Sequence, residues 1–248
     1  MVCPKCGFEQ DATRECVKCG VLFGKVHESL RPMPPVSGVP AIPMQKSEDP
    51  EPGLFAMLKD RLLPFEEKVT PFIFGGRVLV YILLVIWGAK FIVTPMATNY
   101  VGESFMHNIN LPFHEAGHLV FIPFGRFMTV LGGSLGQLLM PAICLGAFLF
   151  HNNAFGASAA LWWFAESLMD LAPYINDARD LELMLLGGVT GKEVEGHDWE
   201  YILGHLGWLK YDHVIAHDAY KLAILIMLLA LIWGAYLLFR QYRNLDRT

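Results

Sequence analysis

The chain has 248 residues, of which 54% are hydrophobic and only 17% charged, with a formal net charge of -5. Its mean hydropathy of +0.38 is too apolar for an ordinary soluble domain, and the modest negative charge gives no footing for nucleic acid. The apolar excess is gathered into long runs, so the expected class is an all-α polytopic membrane protein with about five transmembrane helices in a lipid bilayer.

Two Cys-x-x-Cys knuckles open the chain, Cys3-Pro4-Lys5-Cys6-Gly7 and Cys16-Val17-Lys18-Cys19-Gly20. Four thiolates so spaced make a closed tetrahedral site for one structural zinc, and the glycines let the backbone turn tightly round it. Disulfides or a thioredoxin-like redox motif are the competing readings. No βαβ pattern surrounds either pair, and redox work needs one pair rather than two. Residues 1–24 resemble the short zinc ribbons attached to many prokaryotic proteins. Such a unit folds only with its metal, and reduced thiols put it on the cytoplasmic side, where a protein partner is one expected role. The N-terminus has no apolar core and no small-residue cleavage site, so a cleavable signal peptide is not expected. Cys144, in an apolar run, reads as a buried small hydrophobe.

Residues 25–53 form a linker, because prolines from Pro32 to Pro52 forbid regular hydrogen bonding and no core pattern competes. Residues 54–70 alternate apolar Leu54, Phe55, Leu58 and Leu62 with charged Lys59, Asp60, Arg61 and Glu66. That pattern predicts an amphipathic juxtamembrane helix, with a solvated helical spacer as the alternative. The membrane core is expected over 71–248. Its first span, about 78–96, contains Lys90, whose ammonium is expected to snorkel toward the interface.

The second span, about 105–124, contains Phe113-His114-Glu115-Ala116-Gly117-His118. On a helix, His114 and His118 stand one turn apart on one face, a spacing at which two neutral imidazoles share a zinc ion. Glu115 sits beside that metal, placed to take a proton from its bound water. The greasy flanks weigh against an accidental match, since polar groups in such a helix are costly.

A third span, about 132–150, opens on Gly132, Gly133, Ser134 and Gly136, read as a close helix–helix approach. Gln137 in it is a candidate to hydrogen-bond a substrate or the zinc-bound oxygen. The fourth, about 155–175, leads into Asp170, Pro173, Asn176 and Asp177. A two-histidine zinc site needs a third protein ligand and an open position for water. Asp170 and Asp177, two turns apart, are the candidates, although Asp177 could instead cap the helix and pair with Arg179. The segment 180–220 is polar. There Asp198 is expected to N-cap a short helix, and His197 is either an accessory of the metal site or a surface histidine. The last span, about 222–239, is followed by Arg240, Arg243 and Arg247.

These motifs resemble the site-2 protease family of intramembrane zinc metalloproteases over residues 78–180. The first family motif matches at His114, Glu115, Gly117 and His118. The second, Asn-Pro…Asp-Gly, matches loosely: Pro173 and Asp177 are in order, Asp170 stands where the family has asparagine, and Ala178 replaces the glycine. The resemblance implies one catalytic zinc held by His114, His118 and Asp177 (or Asp170), with Glu115 as the catalytic base. It further implies peptide-bond hydrolysis in a membrane protein substrate, locally unwound to expose its backbone. Gln137 and Asn176 are the guesses for an oxyanion donor. No PDZ-like insertion is present. The rival reading is a non-catalytic zinc-binding membrane scaffold that recruits partners through the ribbon. A transporter would need more facing carboxylates or histidines.

Arg126, Arg179, Lys192 and Lys210 suggest that the loops after the second and fourth spans are cytoplasmic, in what the ribbon suggests is a prokaryotic plasma (inner) membrane. Five spans then leave the arginine-rich C-terminus outside. Either one span is miscounted or a re-entrant segment lies between 180 and 220.

Overall fold

Two tight turns build the N-terminal unit. Gly7 N–H donates to the Cys3 carbonyl at 2.9 Å and Gly20 N–H to the Cys16 carbonyl at 2.8 Å. Both glycines have positive φ, 71° and 69°, a conformation that residues with a Cβ rarely adopt. Antiparallel bridges Val2–Glu9 and Glu15–Leu22 close the turns. The four sulfurs of Cys3, Cys6, Cys16 and Cys19 converge within 4.8 Å of one another, with Cys3–Cys19 and Cys6–Cys16 at 3.7 Å. A disulfide would need about 2.05 Å. Thiolates about 2.3 Å from a tetrahedral zinc stand roughly 3.8 Å apart, so this spacing suits a metal.

The computed structural model describes residues 2–3, 6–11, 14–20, 22, 59, 61–63 and 69–245, in two units, Met1–Glu51 and Pro52–Thr248. The linker expected over 25–53 lies outside the described residues, as does most of 54–70. In the latter stretch Lys59, Arg61 and Leu62 are helical. Arg61 donates to the carbonyls of Leu149 and Phe150 at 2.9 and 3.1 Å.

The second unit contains α1 (Pro71–Val93), α2 (Phe105–Phe121), α3 (Arg126–Phe150), α4 (Ala154–Asn176), the short α5 (Asp198–His205) and α6 (Asp212–Arg243). Local chemistry sets several of these ends. Thr70 accepts from Ile73 N–H and Pro71 opens the first turn of α1, while Asn153 caps α4 by accepting from Gly156 N–H. The third span starts six residues earlier than the apolar run, at Arg126, because Gly125 with φ 90° lets the chain reverse directly after α2.

α4 is the axis of this unit, and its packing against α6 is the most extensive in the molecule. Ala216, Ala223 and Ala230 recur every seventh residue along α6, and all are buried. Small side chains at that interval let the two backbones approach. Trp162 and Met169 of α4 meet Phe91 of α1 and Met227 of α6 in one apolar cluster. Tyr220 reaches across α6 to donate to the carbonyls of Phe91 and Thr94, both at 3.0 Å.

Among the described residues, three helices are long and apolar enough to cross a membrane: Pro71–Val93, Arg126–Phe150 and Leu209–Arg243. Their outward faces are apolar. Phe72 and Val93 in α1 and Ile232 in α6 are 91%, 77% and 65% exposed, a surface that belongs in lipid rather than water. Lys90 sits near the end of α1, its ammonium 4.5 Å from the Tyr100 ring. α2 and α4, two of the five expected spans, fall outside this set. α2 has 17 residues, about 26 Å at the helical rise, against an apolar layer of about 30 Å. α4, with 23 residues, is long enough but not apolar enough, and fifteen of its residues are buried, Glu166, Ser167 and Asp170 among them.

Candidate metal centre

α2 and α3 touch backbone to backbone, and that contact builds the site. A Cβ on Gly117 would strike the Gly132 carbonyl, and one on Gly136 would strike the Phe113 carbonyl. Between these crossings lies Gly133, where a Cβ would come within 2.5 Å of Nε2 of both His114 and His118. Close packing therefore accounts for Gly117, Gly132 and Gly136, while Gly133 leaves room for the imidazoles. Gly133→Ala is expected to weaken zinc binding at this centre at least tenfold while the ribbon keeps its metal, as read by chelator competition on the full-length chain. Unchanged affinity would mean that the rings have other room.

Each imidazole is oriented through Nδ1. His114 Nδ1 lies 3.1 Å from Gln137 Oε1, and His118 Nδ1 lies 2.9 Å from the Thr129 carbonyl. Both partners only accept, so each Nδ1 carries a proton, and in the neutral ring Nε2 is the atom left to bind a metal. The Gln137 amide is itself fixed: its Nε2 donates to Asp170 Oδ2 at 2.9 Å and to the Ser167 carbonyl at 3.3 Å. Outer partners of this kind set ligand geometry and typically carry 10–100-fold in metal affinity. Gln137→Leu is expected to weaken zinc binding at this centre by about that factor. An unaltered affinity would show that the ring of His114 is held without the amide.

The third group is Asp198. Its Oδ2 lies 2.9 Å from His114 Nε2 and 3.3 Å from His118 Nε2. His114, His118 and Asp198 form the one cluster in this unit, among the described residues, that could hold a metal ion. Two neutral imidazoles turn lone pairs toward a carboxylate, and either a shared cation or a proton on each ring resolves that contact. Zinc bonds of about 2.0–2.2 Å put tetrahedral ligands roughly 3.3–3.5 Å apart, so small movements suffice to seat the ion. Burial raises the Asp198 pKa, but hydrogen bonds from His114 and His118 outweigh it and hold the carboxyl below its ordinary value.

The two aspartates expected as third ligand are engaged elsewhere. Asp177 ends α4, and its two oxygens accept from Glu182 N–H at 2.8 Å and Leu183 N–H at 2.9 Å. Asp170 accepts from Gln137, from Asn110 Nδ2 at 3.1 Å, and lies 3.0 Å from His107 Nδ1. Both lie outside the His114–His118–Asp198 cluster and face backbone N–H groups, amides and the His107 imidazole instead, so the geometry brings Asp198 rather than either of them to the two histidines. The expected N-cap role of Asp198 passes to His197, whose Nδ1 accepts from Glu200 N–H at 3.2 Å. His197 is fully buried, with Nε2 3.4 Å from Asp177 Oδ2. Burial pushes its pKa down despite the surrounding carboxylates. It locks the base of the loop and is not in the cluster.

Glu115 is placed differently. It is half-buried and lines a cavity of about 360 Å³ together with His114, His118, Asp198, Gln137 and Tyr174. Among the described residues its carboxylate has neither a hydrogen-bond nor an ion-pair partner, in contrast to Asp170, Asp177 and Asp198. Asn176 does not line this cavity.

The loop 181–196 forms one wall of the cavity. Leu185 N–H donates to the Val189 carbonyl at 2.7 Å, Met184 and Thr190 form an antiparallel bridge, and Gly187 and Gly188 turn at φ 101° and 77°. Leu183, Leu185 and Val189 line the cavity together with Leu111 and Leu171 of the helices. The arrangement therefore joins a cluster that could hold a metal ion, an unpartnered carboxylate and apolar walls in one cleft. No protein-family model, curated protein or solved structure matches the chain.

Proposed function

We propose that the chain is a zinc-dependent endopeptidase acting on membrane-embedded protein substrates, with chemistry similar to that of the site-2 protease family. The observation that carries the reading is the convergence of His114 Nε2, His118 Nε2 and Asp198 Oδ2 beside the unpartnered carboxylate of Glu115 on one cavity wall. Zinc held by those three residues would acidify a coordinated water and polarise a peptide carbonyl. Glu115 accepts a proton from the attacking water and delivers it to the nitrogen of the leaving amine. Gln137 and Thr129 keep the imidazoles in the tautomer that leaves Nε2 bare. The apolar walls favour an extended, apolar stretch of substrate and limit competing water.

The same reading has α2 and α4 inside the membrane with α1, α3 and α6, giving five spans. A polar centre between helices is tolerated there because it is enclosed by protein and lines a cavity. The basic residues Arg126, Arg179, Lys192 and Lys210 support a cytoplasmic position for the end of the helices that carries the loop 181–196. The four ribbon cysteines fit a second, structural zinc.

The test compares membranes from cells with and without the chain by mapping new protein N-termini. The expected result is chain-dependent termini inside apolar segments of membrane proteins. Identical sets of termini would sink the peptidase reading in favour of a zinc-binding scaffold.

A further inference from the structure

The peptidase reading lacks a donor for the oxygen that becomes negative as water adds to the peptide carbonyl. The two amides raised on sequence grounds do not supply one. Both ends of Gln137 are committed to protein partners, and Asn176 lies off the cavity wall. Tyr174, in the last turn of α4, lies on that wall. Its phenol oxygen accepts a hydrogen bond from Asp198 N–H at 2.9 Å, which ties it to the third ligand. That bond uses a lone pair and leaves the phenol proton uncommitted. Among the described residues the O–H has no acceptor. The ring is held in place: it stands edge-on to His114, 6.3 Å between centroids, and packs on His197 at 4.3 Å. An O–H donor fixed in advance, beside a metal ligand and open to the cavity, is what stabilises a developing oxyanion.

We propose that Tyr174 is a catalytic residue whose O–H donates to the carbonyl oxygen of the scissile peptide as negative charge gathers there. The assignment rests on the peptidase reading above. Water oxygen bonds to the carbonyl carbon, and the π pair of the C=O moves onto oxygen, where the Tyr174 O–H meets it. On collapse the C=O re-forms, the C–N bond breaks, and the amine takes the proton that Glu115 received from water. Tyr174 keeps its own proton throughout.

Three measurements on the full-length chain in detergent test this, with Tyr174→Phe and Glu115→Gln beside wild type. They are zinc stoichiometry, cleavage of a quenched-fluorescent leucine-rich peptide, and affinity for a Leu-Leu phosphinic peptide, whose charged oxygens mimic the tetrahedral oxyanion. The leucines match the apolar walls. In Tyr174→Phe both zinc ions are expected to remain, and kcat to fall about 10²–10³-fold, the usual cost of one oxyanion donor. KM should stay within about threefold, because the contact strengthens only as charge develops. Phosphinic-peptide affinity should drop at least tenfold, while binding of the Leu-Leu dipeptide itself stays unchanged. Loss of the second zinc in Tyr174→Phe would overturn the proposal and make the phenol a prop for Asp198. A wild type that cleaves, with an inert Glu115→Gln and a fully active Tyr174→Phe, would overturn this assignment alone. A wild type that neither cleaves the peptide nor binds the phosphinic peptide overturns the peptidase reading and the Tyr174 assignment together.

Discussion

Asp198→Ala is expected to reduce the zinc content of the full-length chain from two ions to one and to abolish cleavage, whereas Asp177→Ala should keep two. The asymmetry follows from where each carboxylate spends its lone pairs. Asp198 Oδ2 faces both bare Nε2 atoms, so its removal leaves two neutral imidazoles, too few to hold zinc firmly against competing solvent and buffer. Asp177 is bonded to two backbone N–H groups at the start of the loop, so its loss loosens the loop and leaves the ligand set whole. Metal analysis after gel filtration reads both variants, with the ribbon ion as an internal reference. Two ions in Asp198→Ala, or one in Asp177→Ala, would return the third ligand to the end of α4.

The difference between these aspartates shows what the amino-acid sequence could and could not disclose. His114, Glu115 and His118 are legible because one turn of helix links them, and the four ribbon cysteines are legible because short knuckles do. Asp198, the third member of the cluster, comes from a distant polar segment, and no periodicity connects it to the histidines. In the structure Gly196, with φ 138°, turns the chain into a short helix whose cap, His197, and first residue, Asp198, are buried although polar. Burial is a tertiary property, so Asp198 read as a cap. The aspartates of α4 drew attention because acidic groups in an apolar helix need partners. Asp170 found them in Asn110, Gln137 and His107, on the outer side of the imidazoles. The glycines of α3 were legible as a packing signal, but the role of Gly133 depends on the register of α2 against α3, which neither helix specifies alone. The span count reads less cleanly for a different reason: the polar residues of α4, Glu166 and Asp170 among them, keep it out of the set of helices apolar enough to cross, and its neighbours bury it.

Glu115→Gln should keep both zinc ions and lower kcat/KM by about 10²–10⁴-fold, the range over which a positioned base contributes. Glutamine preserves size and hydrogen-bonding reach but cannot accept the proton of water. The fold has little stake in this side chain. Glu115 is half-buried on the cavity wall, and among the described residues no group bonds to its carboxylate, so the substitution strands no buried partner. Thermal unfolding of the variant should therefore match wild type, and any change in turnover reports on chemistry. Loss of zinc in Glu115→Gln would instead make Glu115 a ligand. Retained zinc with undiminished cleavage would place the base elsewhere in the cavity, where Asp170 is already committed to three partners. A centre that holds zinc and turns over nothing in either form would have no use for an uncompensated carboxylate on an apolar wall, which is why the contrast between these two chains separates an enzyme from a scaffold.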